Sequence, residues 1–202
     1  MWRGSGAHGY LEVVWEYGRA VVNSAHANQS FGSLHRVWQR AFKDADIRER
    51  KPATALVLGY GAGSVARIIA EELALPTRLV GVDDDPMMLD LARKRPLFRP
   101  AQDVELIEAD AFAYVARCEE RFDLIVVDLF HDLDFAPGVE ERSFLTGIRR
   151  LASPWGVVLV NTVAHDEKSA HRSARLGDEL RLVFAEVRER HYEGINRVYI
   201  AL

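Results

Sequence analysis

Short apolar runs alternate with helix-spaced segments along this 202-residue chain. Runs with few polar residues are expected of parallel strands that are buried on both faces of a sheet. They are Ala55–Leu58, Leu79–Val82, Val104–Ile107, Phe122–Asp128 and Val157–Val160. Helical spacing predicts helices at Val65–Leu75, Met87–Lys94, Ala111–Arg117, Glu140–Leu151 and Glu167–Ala185. This alternation predicts an α/β fold in which helices cover both faces of a doubly wound, mostly parallel sheet.

The N-terminal part of the chain shows a different pattern. Tyr10–Trp15 alternates, Arg19–Asn23 is a second short stretch, and together they predict a β-hairpin. Gly32–Asp46 has helical spacing, whereas Met1–Gly9 shows no pattern and is expected to be unstructured. We expect residues 1–50 to form one unit with an α/β domain over residues 51–202. Because unpaired strand edges pair readily, the N-terminal hairpin is a candidate contact for a homodimer.

Composition narrows the function classes. The formal net charge is −4 and no long basic run is present, which disfavours binding to nucleic acid. No apolar run is long enough for a membrane span, and the N-terminus lacks the apolar core of a signal peptide. The single cysteine, Cys118, excludes an internal disulfide and suits a reducing compartment. We therefore expect a cytoplasmic protein that does not contact a membrane.

A glycine-rich turn follows the first buried strand. Gly59, Gly61 and Gly63 stand between Ala55–Leu58 and the predicted helix, and such a turn lets a ligand approach the backbone and the helix start. The dinucleotide pattern is G-x-G-x-x-G, whereas the spacing here is G-x-G-x-G, with Ser64 where the third glycine would stand. This spacing favours S-adenosylmethionine (AdoMet) over a dinucleotide.

Carboxylates follow several of the predicted strands. Ligands bind beyond the carboxyl ends of parallel strands, where Asp83, Asp110 and Asp128 stand. Asp83 can accept both hydroxyls of a ribose, and the adjacent Asp84 is a second candidate contact. Asp85 precedes Pro86, which is the pattern of a helix cap.

These motifs resemble the class I AdoMet-dependent methyltransferase fold, a Rossmann-like fold, and most closely its spermidine synthase-like branch. The resemblance covers about Leu11 to Leu202. Its segments are VLGYGAGS, GVDDDP, EADAF, FDLIVVDLF and LASPWGVVLVN. It implies that the predicted terminal hairpin, Glu186–Tyr192 and Arg197–Leu202, supplies the reversed last strand of this fold. It further implies a transferase that uses AdoMet or decarboxylated AdoMet, with a small-molecule acceptor such as an amine.

The chain departs from the aminopropyltransferases of that branch. Their first loop usually reads Gly-Gly-Asp-Gly-Gly, and Ala62 occupies the aspartate position here. Their fourth strand usually continues Asp-Ser-Ser-Asp-Pro, whereas this chain reads Asp128-Leu-Phe-His-Asp132. Methyl transfer to a small molecule is therefore favoured over aminopropyl transfer, and a protein that binds AdoMet without turnover is a further alternative.

Roles for single residues follow from the resemblance. Asp110 would accept from the adenine amino group while the Ala111 N–H meets the ring, although a helix cap is an equal alternative for Asp110. Asp128 is the candidate catalytic residue, since a carboxylate beside the sulfonium can orient an amine and take its proton. Gln29 is a candidate contact of the ribose or the acceptor.

Other candidates carry stronger structural alternatives. Tyr60 would flank the cofactor or only shield it. His131, Asp132 and Asp134 lie on the loop after the fourth strand, where a solvated loop is the alternative to an acceptor pocket, and none of them has the spacing of a metal site. Three tryptophans, Trp15, Trp38 and Trp155, are expected in the core or covering the hairpin.

Overall fold

A computed structural model describes residues 2–6, 9–16, 19–23, 28–30, 32–94, 103–131 and 133–202. The strands, in chain order, are β1 (Trp2–Gly6), β2 (Gly9–Glu16), β3 (Arg19–Asn23), β4 (Asn28–Ser30), β5 (Thr54–Leu58), β6 (Arg78–Asp83), β7 (Val104–Glu108), β8 (Phe122–Val127), β9 (Phe130–His131), β10 (Asp134–Phe135), β11 (Ala152–Val163), β12 (Val187–Tyr192) and β13 (Asn196–Ala201). The helices are α1 (Gly32–Asp44), α2 (Ile47–Arg50), α3 (Ser64–Arg67), α4 (Pro86–Lys94), α5 (Ala111–Arg117), α6 (Arg142–Leu151) and α7 (Glu167–Val183). A π-helical turn, Ile68–Glu72, continues α3.

The central sheet has seven strands in the order β12-β13-β11-β8-β5-β6-β7. β5, β6, β7, β8 and β11 pair in parallel, and β13 runs antiparallel to both of its neighbours, β11 and β12. The predicted α/β fold with a reversed last strand is therefore confirmed. The reversal has a functional consequence, because the start of β13 lies at the same edge of the sheet as the ends of the parallel strands.

Helices cover both faces of this sheet. On one face, side chains of α1, α3 and α4 pack on strand residues such as Val57 and Val126. On the other face, α5, α6 and α7 pack on residues such as Leu56 and Ile125. Successive strand residues therefore enter opposite cores, which explains why these strands are apolar throughout.

The N-terminal segment forms a separate antiparallel sheet in the order β1-β2-β3-β4. The predicted hairpin is present as β2 and β3. The expectation that Met1–Gly9 is unstructured is wrong for residues 2–6, because the backbone of β1 pairs with β2 from Trp2 opposite Val13 to Gly6 opposite Gly9. Three of the five residues of β1 are glycine or serine, so its composition gives little sign of a strand, and its backbone pairing with β2 identifies it.

Candidate functional site

Three strand ends lie level at one edge of the central sheet. Leu58, the last residue of β5, stands opposite Val82 of β6 and opposite Val127 of β8. The next residues along the three strands, Gly59, Asp83 and Asp128, therefore lie side by side at this edge. They border a cavity of about 320 Å³, which lies in the range of roughly 300–1,000 Å³ found for small-molecule sites.

The glycine loop forms the floor of this cavity. Gly59 has φ of 79°, and a Cβ atom there would collide with the backbone carbonyl of Asp128. Gly61 has φ of 57°, and its N–H donates to Oδ2 of Asp83 at 2.8 Å. Gly63 has φ of 97° and starts α3. The first glycine is thus required by the approach of two strands, and the second aligns the Asp83 carboxylate.

Asp83 is held by backbone groups on both oxygens. Besides the Gly61 bond, its Oδ1 accepts from the backbone N–H of Asp85 at 2.9 Å. Burial raises the pKa of Asp83 to about 6, against the opposing effect of these two hydrogen bonds. Each carboxylate oxygen can accept a further bond, so the side chain is oriented and still able to receive a ligand hydroxyl.

Two further aspartates cap helices beside the cavity. Asp85 accepts from the backbone N–H of Met87 at 2.8 Å, as predicted for a cap at the start of α4. Asp110 accepts from the N–H of Ala113 at 2.7 Å, which confirms the capping alternative for this residue. Asp110 also borders the cavity, as do Asp84 and Ala111, so a ligand contact remains geometrically open to all three.

Asp128 belongs to a hydrogen-bonded chain of side chains. Its Oδ2 accepts from the indole N–H of Trp38 at 2.9 Å, and its Oδ1 accepts from the amide of Asn161 at 2.9 Å. Asn161 in turn accepts from the amide of Asn196 at 3.2 Å. Burial raises the pKa of Asp128 to about 6, although both hydrogen bonds favour the charged form. A carboxylate fixed in this way borders the cavity and can accept a proton near neutral pH.

Comparison with known proteins now places the chain. The sequence signature of the family described as "Methyltransferase domain" matches residues 55–156, which is more than half of the chain. The chain belongs to this methyltransferase-domain family.

Two solved structures share the fold of this methyltransferase domain. A probable spermidine synthase from Corynebacterium glutamicum has a TM-score of 0.81 and is 18% identical, with 99% of this chain and 79% of that chain covered. Human methyltransferase-like protein 13 in complex with SAH has a TM-score of 0.66 and is 22% identical, with 85% of this chain and 82% of that chain covered.

The curated relatives are longer proteins. The polyamine aminopropyltransferase of Vibrio vulnificus is 30% identical over 127 residues, which cover 61% of this chain and 42% of that relative. The chain likewise spans less than half the length of the other polyamine aminopropyltransferases that it matches.

The N-terminal sheet covers one side of the cavity in this methyltransferase domain. Tyr10 and Leu11 of β2 border the cavity. Leu11 also packs with Ala62 of the glycine loop and Met88 of α4 in a small apolar cluster. Ala62 is fully buried there, so the loop presents a methyl group to the N-terminal sheet.

Some predicted site residues lie elsewhere. The side chain of Tyr60 is buried in the core with its ring against Gly81, and it does not border the cavity. The predicted contact of this side chain with the cofactor is therefore wrong. Its role is in packing, because the loop turns the ring toward the sheet. Gly63 also does not border the cavity, since it serves the start of α3.

Other predicted residues are only partly described. The side chains of Gln29 and His131 and all of Asp132 lie outside the described residues, so their predicted roles stay predictions. Asp134 is exposed and does not border the cavity. Of the three tryptophans, Trp38 is in the core as expected, but Trp15 and Trp155 are 61% and 88% exposed.

Three polar residues of the site were missed from the sequence. Trp38 was predicted only as a core residue, and its bond to Asp128 joins residues 90 positions apart in the chain. Asn161 gave a usable signal, because a single amide ends the apolar run Val157–Val160 beside the strand of Asp128. Asn196 reaches the site only through the reversed last strand.

The described residues contain neither a metal-binding cluster nor a membrane-spanning helix. No group of three or more His, Cys, Asp or Glu side chains in the described ranges is placed to hold a metal ion. Within the same ranges, no helix combines the length and apolar character needed to cross a membrane.

Proposed function

We propose that this methyltransferase domain binds AdoMet and transfers its methyl group to a small-molecule acceptor. The observation that carries the proposal is the level arrangement of Gly59, Asp83 and Asp128 at one cavity. This arrangement offers a bare backbone surface, a carboxylate for a ribose and a second carboxylate for the acceptor. The human structural neighbour was solved in complex with SAH, which supports the choice of ligand.

The residues present fit AdoMet. Asp83 has the free lone pairs to accept the two ribose hydroxyls, and its backbone bonds hold it in the required orientation. Asp110 and Ala111 border the same cavity and can meet an adenine ring. Asp84 adds negative charge at the cavity that receives the positive sulfonium.

The chemistry divides between ligand and protein. Bound AdoMet supplies a methyl group on a sulfonium, and transfer breaks the carbon–sulfur bond, which leaves its electron pair on sulfur as the acceptor nitrogen or oxygen bonds to the methyl carbon. Asp128 orients the acceptor and takes the proton that its nucleophilic atom loses. Trp38 and Asn161 keep the carboxylate in place during that step.

Aminopropyl transfer from decarboxylated AdoMet is the second candidate. The names of the curated relatives, which are 27–33% identical over their polyamine aminopropyltransferase matches, favour it. Against it stands Ala62, buried under β2 where those enzymes usually carry a carboxylate. A protein that binds AdoMet without turnover is compatible with the same cavity.

Binding and product analysis test the proposal. Calorimetry with AdoMet, decarboxylated AdoMet and NAD is expected to show binding of a sulfonium and none of NAD. Mass spectrometry of reactions with both donors and a panel of amines then separates the candidates. An added methyl group supports the proposal, an added aminopropyl group supports the second candidate, and no product supports binding alone. Tight binding of NAD without sulfonium binding would overturn the assignment.

A further inference from the structure

The cavity has two halves of different character. Strand order places β6 and β7 on one side of β5, and β8, β11 and β13 on the other. The residues that follow β6 and β7 include Asp83, Asp84, Asp85 and Asp110. The other half is lined mainly by apolar side chains, namely Leu34, Leu129, Phe130, Leu133, Ala136, Pro137, Val163 and Ile195.

Polar groups in the apolar half form a single set. Among the described residues that line it, Asp128 is the one carboxylate, and both of its oxygens accept bonds from neutral donors, Trp38 and Asn161. Asn196 extends the set through Asn161, and Ser33 adds a neutral hydroxyl. This half therefore offers one negative charge that the described side chains do not neutralise.

Two described glutamates near this half form ion pairs with arginines. Glu193, on the turn before β13, forms ion pairs with Arg36 at 2.8 Å and Arg40 at 3.1 Å. Glu140 forms ion pairs with Arg172 at 2.7 Å and Arg175 at 3.0 Å. Neither glutamate borders the cavity, so neither is placed to meet a second positive charge on an acceptor.

We infer that the acceptor is a monoamine, with one amino group on an apolar body of several carbons, rather than a polyamine. One ammonium balances Asp128, and the apolar walls bury the carbon body. A second ammonium on the same acceptor would lie against Leu133 or Val163, where it loses hydration and none of the described side chains that line this half supplies a second compensating charge. This inference rests on the proposed function, since it names the acceptor of the same site.

Calorimetry on the full chain saturated with S-adenosylhomocysteine tests the inference without turnover. The probes are pentylamine and its diamine analogue, cadaverine, which differ by one terminal amino group. Pentylamine is expected to bind at least about tenfold more tightly, because the diamine must bury an unpaired charge. Tighter binding of cadaverine, or no binding of either amine, overturns the inference.

A charge placed in the apolar half gives a second test. Ile195 borders the cavity and is 38% exposed, so Ile195→Glu is compatible with folding. This variant is expected to lower the preference for pentylamine by about tenfold, since its carboxylate can pair with the second ammonium. Ile195→Gln has nearly the same shape without the charge and should keep the parent preference.

A variant with a new charge far from the cavity controls for the change in net charge. Leu182 lies on α7, is 66% exposed and does not border the cavity, so Leu182→Glu alters net charge alone. An equal effect of Ile195→Glu and Leu182→Glu would contradict the inference. Failure of S-adenosylhomocysteine itself to bind would instead overturn the proposed function, so the two failures are distinguishable.

Discussion

Two aspartates of the site share a raised pKa and differ in what holds them. Burial raises the pKa of both Asp83 and Asp128 to about 6. Backbone N–H groups orient Asp83, whereas the side chains of Trp38 and Asn161 orient Asp128. Hydrogen bonds from the backbone suit a carboxylate that binds a fixed group of the ligand. Hydrogen bonds from side chains suit a carboxylate that exchanges a proton with an acceptor.

Asp83→Asn is expected to weaken AdoMet binding by about tenfold to a hundredfold, because charge-assisted hydrogen bonds to the ribose become neutral ones. Calorimetry across pH adds a second readout. In the parent protein, AdoMet affinity should fall as pH drops through about 6, since protonated Asp83 loses the charge that favours binding. The variant should lack this step, and an unchanged pH profile would remove Asp83 from the binding site.

Asp128→Asn is expected to lower kcat by about two to four orders of magnitude while AdoMet affinity stays within a few-fold, because the amide cannot accept the proton. Steady-state kinetics and calorimetry give the two numbers. In the parent protein, kcat should fall as pH drops through about 6 and Asp128 becomes protonated. Asp134→Asn changes an exposed aspartate on the following loop and is the matched control.

Trp38→Phe separates positioning from proton transfer at the same site. It keeps an aromatic ring in the core and removes the donor to Asp128. Loss of a hydrogen bond to the charged form should move the acid limb of kcat to higher pH. A lowered kcat with an unmoved limb would indicate a packing defect and count against the assigned role of Trp38.

The positions of candidate site residues are predictable from the sequence where the local chain decides them. Asp83 follows a glycine loop and a buried strand, and Asp110 starts a helix, so neighbours in sequence fix both side chains. Trp38, Asn161 and Asn196 meet Asp128 only because distant elements pack together. Tyr60 was predicted to flank the cofactor or only shield it, and the turn of the loop directs its side chain into the core.

At the scale of elements, one arginine joins α7 to the loop that walls the cavity. Arg172 donates to both oxygens of Glu140 and to the backbone carbonyl of Ala136 at 2.9 Å. It also donates to the carbonyl of Phe135, and its guanidinium carbon lies 3.8 Å from the centre of that ring. The segment between β9 and α6, predicted as an open loop, is thus tied to a helix.

Arg172→Gln is expected to loosen this wall at a cost of about 2 kcal/mol in unfolding free energy, because Glu140 loses its most buried cationic partner. The KM of the acceptor should rise several-fold while AdoMet affinity is kept. Hydrogen exchange should quicken across residues 133–141, which the same bonds protect.

Arg142→Gln is the matched control for that change. Arg142 pairs with Glu179 at 2.9 Å on the protein surface, where an ion pair contributes little. The two variants lose the same charge. Equal effects of both variants on the acceptor KM would show that net charge, rather than the hydrogen bond to Ala136, determines the change in KM.

Element prediction succeeded where hydrophobic periodicity was strong and failed where backbone pairing alone decides. The buried strands and the long helices lie close to their predicted ranges. β1 was missed because glycine and serine have low strand propensity, and composition gives no sign of its pairing with β2. β11 was predicted to begin at Val157, but it begins at Ala152. Its pairing with β8 changes register between these two residues, so its first part lacks the continuous apolar pattern of the rest.

At the scale of the whole molecule, both ends of the chain meet at the cavity. The N-terminal sheet contributes Tyr10 and Leu11, and the C-terminal hairpin contributes Ile195 and Asn196. Helix α1 braces the C-terminal hairpin through Arg36, Arg40 and the bond from the Tyr192 hydroxyl to Asp44 at 2.7 Å. The resemblance predicted the reversed last strand, whereas periodicity alone gave only the order of elements.

The two buried carboxyls should make the ligand-free protein less stable as pH rises. A folded-state pKa of about 6 lies above the unfolded value, so folding holds extra protons between about pH 4 and 6. The stability that these groups contribute is full below that window and is lost as pH rises through it. Each group accounts for roughly 3 kcal/mol by this linkage.

Urea unfolding across pH measures the effect. Relative to the parent, the double variant Asp83→Asn and Asp128→Asn should gain stability as pH rises from about 4 to 7, by roughly 5 kcal/mol in total. Hydrogen bonds altered by the amides add an offset that is the same at every pH. A constant difference between the two proteins across this range would contradict the raised pKa values.

Gly59 is required by the packing of the sheet itself. The carbonyl of Asp128 occupies the space that a side chain at Gly59 would need, so the sheet demands this glycine whether or not anything enters the cavity. A descendant protein that had abandoned catalysis would keep it for assembly alone. Sequence searches that identify enzymes by this glycine will therefore also match related proteins that have no activity. The pair of carboxylates at Asp83 and Asp128 distinguishes the enzymes better.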